Sequence, residues 1–243
     1  GTFGIYSQMK YIRNLDLGWS RENMLIIPNV NNFESLRSEL DGKPGVAAVS
    51  ATNQHPSYVM NSSAGFNWRG KPQDETILLH MQGVDYDYIS TMKIQIIKGR
   101  SFSPDLPGDS VAIVINEQAA KVMGFDDPIG EQITVSDGSS SSIIGVAKDF
   151  HFRSIHDRID PLLMFLTPQE NSNVLVRLEG NVDEGIRSVE NVWARLNNDK
   201  MLNYKFLDQD FDEQYRSEAR TGKIFRYFSA LAIIISCLGL FGL

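Results

Sequence analysis

The 243-residue sequence is nearly free of cysteine, with a single thiol at Cys237. A disulfide needs two cysteines, and most structural zinc sites take at least two. Residues 1–236 therefore contain neither a disulfide framework nor a cysteine-based zinc site. A chain of this kind is typical of a bacterial extracytoplasmic domain that folds on packing alone.

The sequence also lacks clustered positive charge. It contains 23 Lys and Arg residues against 30 Asp and Glu residues, a formal net charge of −7, and its basic residues are scattered. Proteins that bind nucleic acid usually present a basic patch, so nucleic acid is not an expected partner. A Gly-x-x-x-x-Gly-Lys-Ser/Thr loop, which would hold nucleotide phosphates, is absent as well.

What the sequence does have is an apolar C-terminal run at residues 228–243, with no charge after Arg226. The run shows no polar stripe at helical spacing, as a helix on a soluble surface would. Small residues such as Ser229, Ala232 and Gly239 suit close packing between helices in lipid. The run therefore predicts the start of a transmembrane helix, with a buried C-terminal core helix as the alternative.

Two segments far apart in the chain share one strand–helix–strand pattern. Apolar runs at 24–27 and 46–49 flank a helical repeat, and runs at 174–176 and 204–207 flank another, which Asp183 is predicted to cap. Two such units in one sheet predict the α+β fold class. The arrangement is a split β-α-β (ferredoxin-like) layout with the intervening chain as an insert.

The insert is predicted to be mainly β, with its own small core. Runs at 64–69 and 76–82 predict a hairpin around Gly70-Lys-Pro72, and runs at 132–136 and 142–146 predict a second one. Asn116 is the predicted N-cap of a short helix within it.

Helices are predicted at both ends of the chain, the second running from 208 to 227 into the apolar run. Each has one narrow apolar stripe at three- and four-residue spacing. The stripes consist of Ile5, Met9 and Ile12 at the N-terminus and of Phe211, Tyr215, Ala219, Gly222 and Phe225 at the C-terminus. Matched faces predict an antiparallel pair, closest at the two small residues.

The densest polar cluster is 148–157, where His151 and His156 lie between Asp149 and Asp157. These residue types are able to bind metal or act as bases. Their five-residue spacing, however, places the imidazoles on different sides of a helix or strand. We expect a structural loop, and predict no catalytic residue, no cofactor and no metal site.

Two tryptophans allow two interpretations. Trp19 and Trp68 would form a ligand-stacking surface if exposed, or part of a core if buried. A buried aromatic is the commoner outcome.

Short motifs run through the chain in a fixed order. They are Gln8-Met-Lys-Tyr-Ile12 before Asp16-Leu-Gly18, Val84-Asp-Tyr-Asp-Tyr88 before Lys98-Gly-Arg-Ser-Phe102, Asn116-Glu117 before Met123-Gly124, Pro128-Ile-Gly130, Ile144-Gly-Val-Ala-Lys-Asp-Phe-His-Phe152, Phe206-Leu-Asp208 and Cys237-Leu-Gly-Leu-Phe-Gly242. Together they resemble the region between the first two transmembrane helices of MacB/FtsX-type ABC transporter permeases of the Bacteroidetes type. The resemblance implies a periplasmic domain with a porter subdomain and an inserted, mainly β subdomain called Sabre.

The resemblance and the patterns together divide the chain into five parts. These are an N-terminal stalk helix at 1–22, a porter-like subdomain at 23–84 and 172–207, the insert at 85–171, a C-terminal stalk helix at 208–227 and the start of a transmembrane helix at 228–243.

The function implied by the resemblance is non-catalytic. The two stripes would form a coupling stalk that passes ATP-driven movement of the transmembrane helices to export or release of a periplasmic substrate. Expected partners are the inner membrane, a cytoplasmic ATP-binding subunit or domain, a second permease copy or half, and a periplasmic adaptor or outer-membrane protein. The protein would sit in the inner membrane with the bulk of this chain in the periplasm. The alternative is a membrane-anchored extracytoplasmic ligand-binding or sensor domain.

Overall fold

The computed structural model describes residues 17–72, 74–135, 138–153, 158–167, 172–197 and 201–211, with isolated positions from 213 to 235. The described chain is a mixed α+β structure in which twelve strands join one sheet. Among these residues, no helix is long and apolar enough to cross a membrane. Most of the predicted transmembrane segment and most of both predicted terminal helices lie outside them.

Twelve strands, four α-helices and one 3₁₀ turn lie entirely within the described residues. The strands are β1 (Met24–Ile27), β2 (Val46–Thr52), β3 (Ser62–Ser63), β4 (Phe66–Trp68), β5 (Leu79–Val84), β6 (Ile96–Gly99), β7 (Ala112–Asn116), β8 (Gln132–Val135), β9 (Ser140–Ala147), β10 (Leu162–Leu166), β11 (Asn173–Leu178) and β12 (Lys205–Phe206). The helices are α1 (Phe33–Leu40), α2 (Tyr88–Thr91), α3 (Glu117–Met123) and α4 (Val182–Leu196), with a 3₁₀ turn at Pro107–Val111.

Four strands form the ferredoxin-like arrangement that the sequence predicts. Their spatial order is β12–β1–β11–β2, and each neighbouring pair is antiparallel. Strand β1 pairs with β11 from Met24 opposite Arg177 to Ile27 opposite Val174. The predicted strands at 24–27 and 174–176 therefore share one sheet, which confirms the split layout.

Helices α1 and α4 cover one face of these four strands. Leu36 and Leu40 of α1 are buried in one cluster with Val189 and Val192 of α4 and with Leu25 of β1. Their three- and four-residue spacings put these side chains on the sheet-facing side of each helix.

Asparagine side chains fix where two helices begin. The Asn116 side-chain oxygen accepts a hydrogen bond from the Ala119 amide at 2.9 Å, as predicted. Asn181 caps α4, so the prediction of Asp183 as the cap is wrong by two residues, because the Asp183 amide is itself a donor to Asn181. Asn32 occupies the N-cap of α1 without a side-chain hydrogen bond to the helix.

The sheet continues into the β-rich part through a single bridge, Thr52 opposite Val84. Beyond β5 the order is β10–β7–β9–β8–β4, and β8 and β9 form the predicted second hairpin. The hairpin predicted around Gly70 is wrong, because β4 pairs with β8 instead of with β5. Phe66 and Trp68 are buried in the core of the β-rich part, and this burial outweighs the local turn signal.

The core on the other face of the ferredoxin-like strands is shared between the two parts. Met24 and Ile26 of β1 are buried in one cluster with Tyr88 and Phe150, which come from the insert. A separate cluster around Ile115 lies within the β-rich part, as expected for an insert with its own core. The limits of the subdomains stay a prediction.

Candidate functional site: the junction of the terminal segments

The predicted coupling stalk falls mostly outside the described residues. Those outside are Ile5, Met9, Ile12, Tyr215, Ala219, Gly222 and Phe225. Phe211 is described, and only 5% of it is exposed. It lies where the first and last continuous segments of the described chain meet, and we call residues 17–22 and 207–211 the junction.

Two aromatic rings and one guanidinium hold the two sides of the junction together. The Trp19 and Phe211 rings pack edge to face with centroids 6.3 Å apart. The Arg21 guanidinium lies over the Phe211 ring, 5.0 Å from its centroid. Edge-to-face and cation–π contacts each add about 0.5–1.5 kcal/mol to the burial of such rings.

The N-terminal side of the junction is tied to the loop that follows β9. The Trp19 indole donates to the His151 carbonyl at 2.7 Å, and the His151 amide donates to the Leu17 carbonyl at 2.9 Å. Between them, Gly18 has φ +79°, and a Cβ there would lie 2.7 Å from the Asp149 carbonyl oxygen. Only glycine fits this close backbone crossing.

Arg177 fastens the next residues of the same segment to α2. Its guanidinium donates to the carbonyls of Ser20 at 2.9 Å, Glu22 at 3.2 Å and Thr91 at 2.7 Å. The Ser20 amide donates to the Met92 carbonyl at 2.9 Å. Arg177 is 8% exposed, and burial lowers its pKa, so these carbonyls supply the polar contacts that the buried guanidinium needs.

Polar contacts of Asp210 fix the C-terminal side of the junction. The Asp210 carboxylate lies 2.9 Å from His55 Nε2 and 2.6 Å from Lys205 Nζ. Burial lowers the pKa of His55, although Asp210 opposes that shift. The Ser57 amide donates to His55 Nδ1 at 3.3 Å, which leaves the proton of a neutral imidazole on Nε2, facing Asp210.

A buried carboxylate precedes α2. Asp85 is 2% exposed, and its Oδ1 accepts a hydrogen bond from the Ser50 hydroxyl at 2.8 Å. Burial raises the pKa of Asp85 to about 6.

The polar cluster at 148–157 is described only in part, because His156 and Asp157 lie outside the described residues. Asp149 accepts a hydrogen bond from the Gln118 amide at 2.9 Å, at the first turn of α3. Burial raises the pKa of Asp149 and lowers that of His151. Across the described residues, no group of three or more His, Cys, Asp or Glu side chains is placed to hold a metal.

Sequence reasoning did not find most of the junction. Trp19 and Trp68 are buried, at 7% and 6% exposure, so the core interpretation of both is correct. Arg177 and His55 carried no signal, because an isolated charge in a strand and a histidine before a proline are typical of exposed positions. Their partners are distant in the sequence: 157 residues separate Arg177 from Ser20.

Over residues 4–199 the sequence matches the family described as MacB-like periplasmic core domain. The chain belongs to this family. It is a periplasmic domain of a MacB-like ABC transporter permease, as its motifs predict. A search of curated proteins finds no significant match.

Solved structures of two transporter domains share the fold of this MacB-like domain. One is the periplasmic region of MacB from Actinobacillus actinomycetemcomitans, with 16% identity and a TM-score of 0.57 over 85% of this chain and 98% of that one. The other is the extracellular domain of the noncanonic ABC-type transporter YknZ from Gram-positive bacteria, with 18% identity and a TM-score of 0.50 over 75% of this chain and 97% of that one. At these identities the likeness establishes the fold alone.

Proposed function

We propose that this MacB-like domain transmits movement of the permease's transmembrane helices to the ferredoxin-like strands and the β-rich part, together called the head, and that the junction is the point of transmission. The observation that carries the proposal is the packing of Trp19 against Phe211, which brings two distant segments to one place. Membership of the family supports a place in a membrane-bound ABC transporter. The coupling role of the junction goes beyond that membership and is proposed here.

The two sides of the junction contact the head through different residues. The N-terminal side is bonded to the loop after β9 and, through Arg177, to α2. The C-terminal side is buried in the shared core at Leu207 and Phe211, and its Asp210 carboxylate lies against His55. A displacement of either segment would therefore move both the ferredoxin-like strands and the β-rich part.

The predicted stalk would connect the junction to the membrane. We infer that the stripes ending at Ile12 and beginning at Phe211 continue the junction toward the membrane, where residues 228–243 enter the bilayer. The expected partners are an ATP-binding subunit or domain in the cytoplasm and a second permease copy or half. Packed helices transmit displacement, whereas a loosened contact absorbs it.

Two matched phenylalanine substitutions test the proposal. Phe211 at the junction and Phe33 on α1 are both 5% exposed, so replacing either with alanine should destabilise the domain by a similar amount, about 3–5 kcal/mol. Only Phe211→Ala loosens the junction. In the full-length permease assembled with its ATPase, we expect Phe211→Ala to hydrolyse ATP without matching export.

Phe33→Ala controls for lost stability, and it should keep the ratio of export to ATP hydrolysis. If both variants keep that ratio, the junction is a passive attachment and the coupling role is wrong. If both lose it equally, general destabilisation explains the loss, and the junction has no special part in transmission.

A further inference from the structure

One edge of the ferredoxin-like sheet is only partly paired, at strand β2, where Val49 is 8% exposed. Strand β2 pairs with β11 along its whole length, but on its other side it meets β5 only at Thr52. The Asp85 amide donates to the Ala51 carbonyl at 3.0 Å, so that carbonyl points away from β11. In an antiparallel sheet the N–H and C=O of one residue point to the same side of the strand, and that side alternates from residue to residue. Val49 is two residues from Ala51, so its N–H and C=O also point away from β11. Within the described chain, no residue pairs with Val49 there.

A cavity of about 370 Å³ lies beside this edge, between α1 and α2. We call it the edge cleft. Residues 46–49 of β2 line it, and the Arg37–Asp87 ion pair links α1 to the residue before α2. The remaining lining residues with polar side chains are Glu34, Ser38, Asp41, Ser90 and Thr91.

The edge cleft is negatively charged. Three of its lining residues are carboxylates (Glu34, Asp41 and Asp87) and one, Arg37, is a cation, which leaves a net charge of −2. Arg37 is paired with Asp87, whereas Glu34 and Asp41 form no ion pair with any described residue. Thr91, which is 1% exposed, has a side-chain hydroxyl with no hydrogen-bond partner among the described residues.

We propose that the edge cleft binds an extended peptide segment of a partner protein, which adds to β2 as a further strand and places a Lys or Arg side chain near Glu34 and Asp41. The unpaired backbone groups of an edge strand are a template for such addition, and pockets beside the strand select the side chains. A small organic cation would satisfy the carboxylates but leave the Val49 backbone unpaired. This inference is independent of the coupling role of the junction.

Three synthetic peptides test both parts of the inference. The first is acetyl-Val-Lys-Val-Lys-Val-amide, the second has Glu in place of both Lys residues, and the third is the Lys peptide with its edge-facing backbone amides methylated. Each is titrated into the 243-residue chain while amide hydrogen exchange is followed residue by residue. We expect the Lys peptide alone to slow exchange at Val49, by about tenfold or more at saturation.

Substitutions in the cleft supply the second arm. Glu34→Gln combined with Asp41→Asn should weaken binding of the Lys peptide by about tenfold, since two partly exposed ion pairs are lost. Both positions are on the surface, so the fold should be retained. The matched control is Asp105→Asn, which removes an exposed carboxylate outside the cleft and should leave the affinity unchanged.

Three results would overturn the inference. No slowing at about 10 mM Lys peptide would exclude strand addition, because even a Kd on the order of 1 mM would then be near saturation. Equal binding of the methylated peptide would show cation recognition without strand pairing. Equal binding of the Glu peptide would show that charge has no part. None of these results bears on the export-to-ATP ratio of the Phe211 variant.

Discussion

Replacing Asp85 with asparagine should stabilise the domain at neutral pH. Asp85 is 2% exposed, with one oxygen bonded to the Ser50 hydroxyl and the other lacking a hydrogen-bond partner among the described residues. Burial raises its pKa from an ordinary value of 3.8 to about 6, although the Ser50 hydrogen bond opposes the shift. The folded chain therefore holds this carboxylate in a disfavoured, charged form at pH 7.

The size and sign of the effect follow from this shift. Between pH 3.8 and about 6 the folded chain binds more protons at Asp85 than the unfolded chain does, so the free energy of unfolding falls as the pH rises through this window. Above it the loss is constant. A shift of about two pKa units amounts to ~3 kcal/mol. Asparagine has the same shape without the charge, so Asp85→Asn should recover about 2–3 kcal/mol at pH 8 and almost nothing near pH 3.5.

Urea titrations followed by tryptophan fluorescence provide the assay. The free energy of unfolding is measured for the parent and for Asp85→Asn across the pH range, and their difference isolates this one group. Asp105→Asn controls for the removal of one exposed negative charge. The reasoning is refuted if Asp85→Asn is less stable than the parent at pH 8, or if the difference between them does not grow as the pH rises.

The remaining predictions concern the contacts that fix the junction and the helices, and each is checked by the same titrations. Gly18→Ala should cost about 2–4 kcal/mol, because the new Cβ meets the Asp149 carbonyl in a left-handed backbone conformation; a loss below 1 kcal/mol would contradict the close crossing. Asn116→Ala should cost about 2–3 kcal/mol, because the buried Asn116 side chain caps α3 and also bonds the Asp160 carbonyl and the Leu162 amide, whereas Asn32→Ala, which removes no capping hydrogen bond, should cost under about 0.5 kcal/mol; equal losses would be inconsistent with these contacts. Arg177→Lys should cost about 2 kcal/mol and speed limited proteolysis ahead of β1, since an ammonium does not reach three carbonyls at once; an unchanged cleavage rate would show that other contacts hold that segment.

The ferredoxin-like part was predictable because its signals are local. Each β-α-β unit carries its own periodicity, so runs such as 24–27 and 174–176 could be recognised separately and then paired by a known topology. The second hairpin was predictable for the same reason, since β8 and β9 are joined by a short turn at Gly138.

The β-rich part was harder because its pairing is long-range. The turn residues at Gly70-Lys-Pro72 suggested a hairpin, yet β4 pairs with a strand more than 60 residues later, at Phe66 opposite Val135. Turn chemistry reports only the local bend. Strand pairing depends on where Phe66 and Trp68 are buried, and the residues around Gly70 do not indicate that position.

The junction shows the same limit for polar groups. Phe211 was recognised from helical spacing, but as one residue of a helix–helix stripe, and its burial against Trp19 in the shared core was not foreseen. Arg177 could not have been singled out, because its three carbonyl partners become neighbours only when three separate segments fold together. The coupling role of the remaining stripe residues stays a prediction.

The most direct test of the coupling role is a distance measurement between heads. One spin label per head is placed at Glu190, an exposed position on α4, in an assembled transporter whose Cys237 is replaced by serine. The label-to-label distance is then measured without nucleotide and with ATP trapped. The account predicts a nucleotide-dependent shift in the parent and in Phe33→Ala that is lost in Phe211→Ala although ATP still binds. The same shift in Phe211→Ala would contradict it.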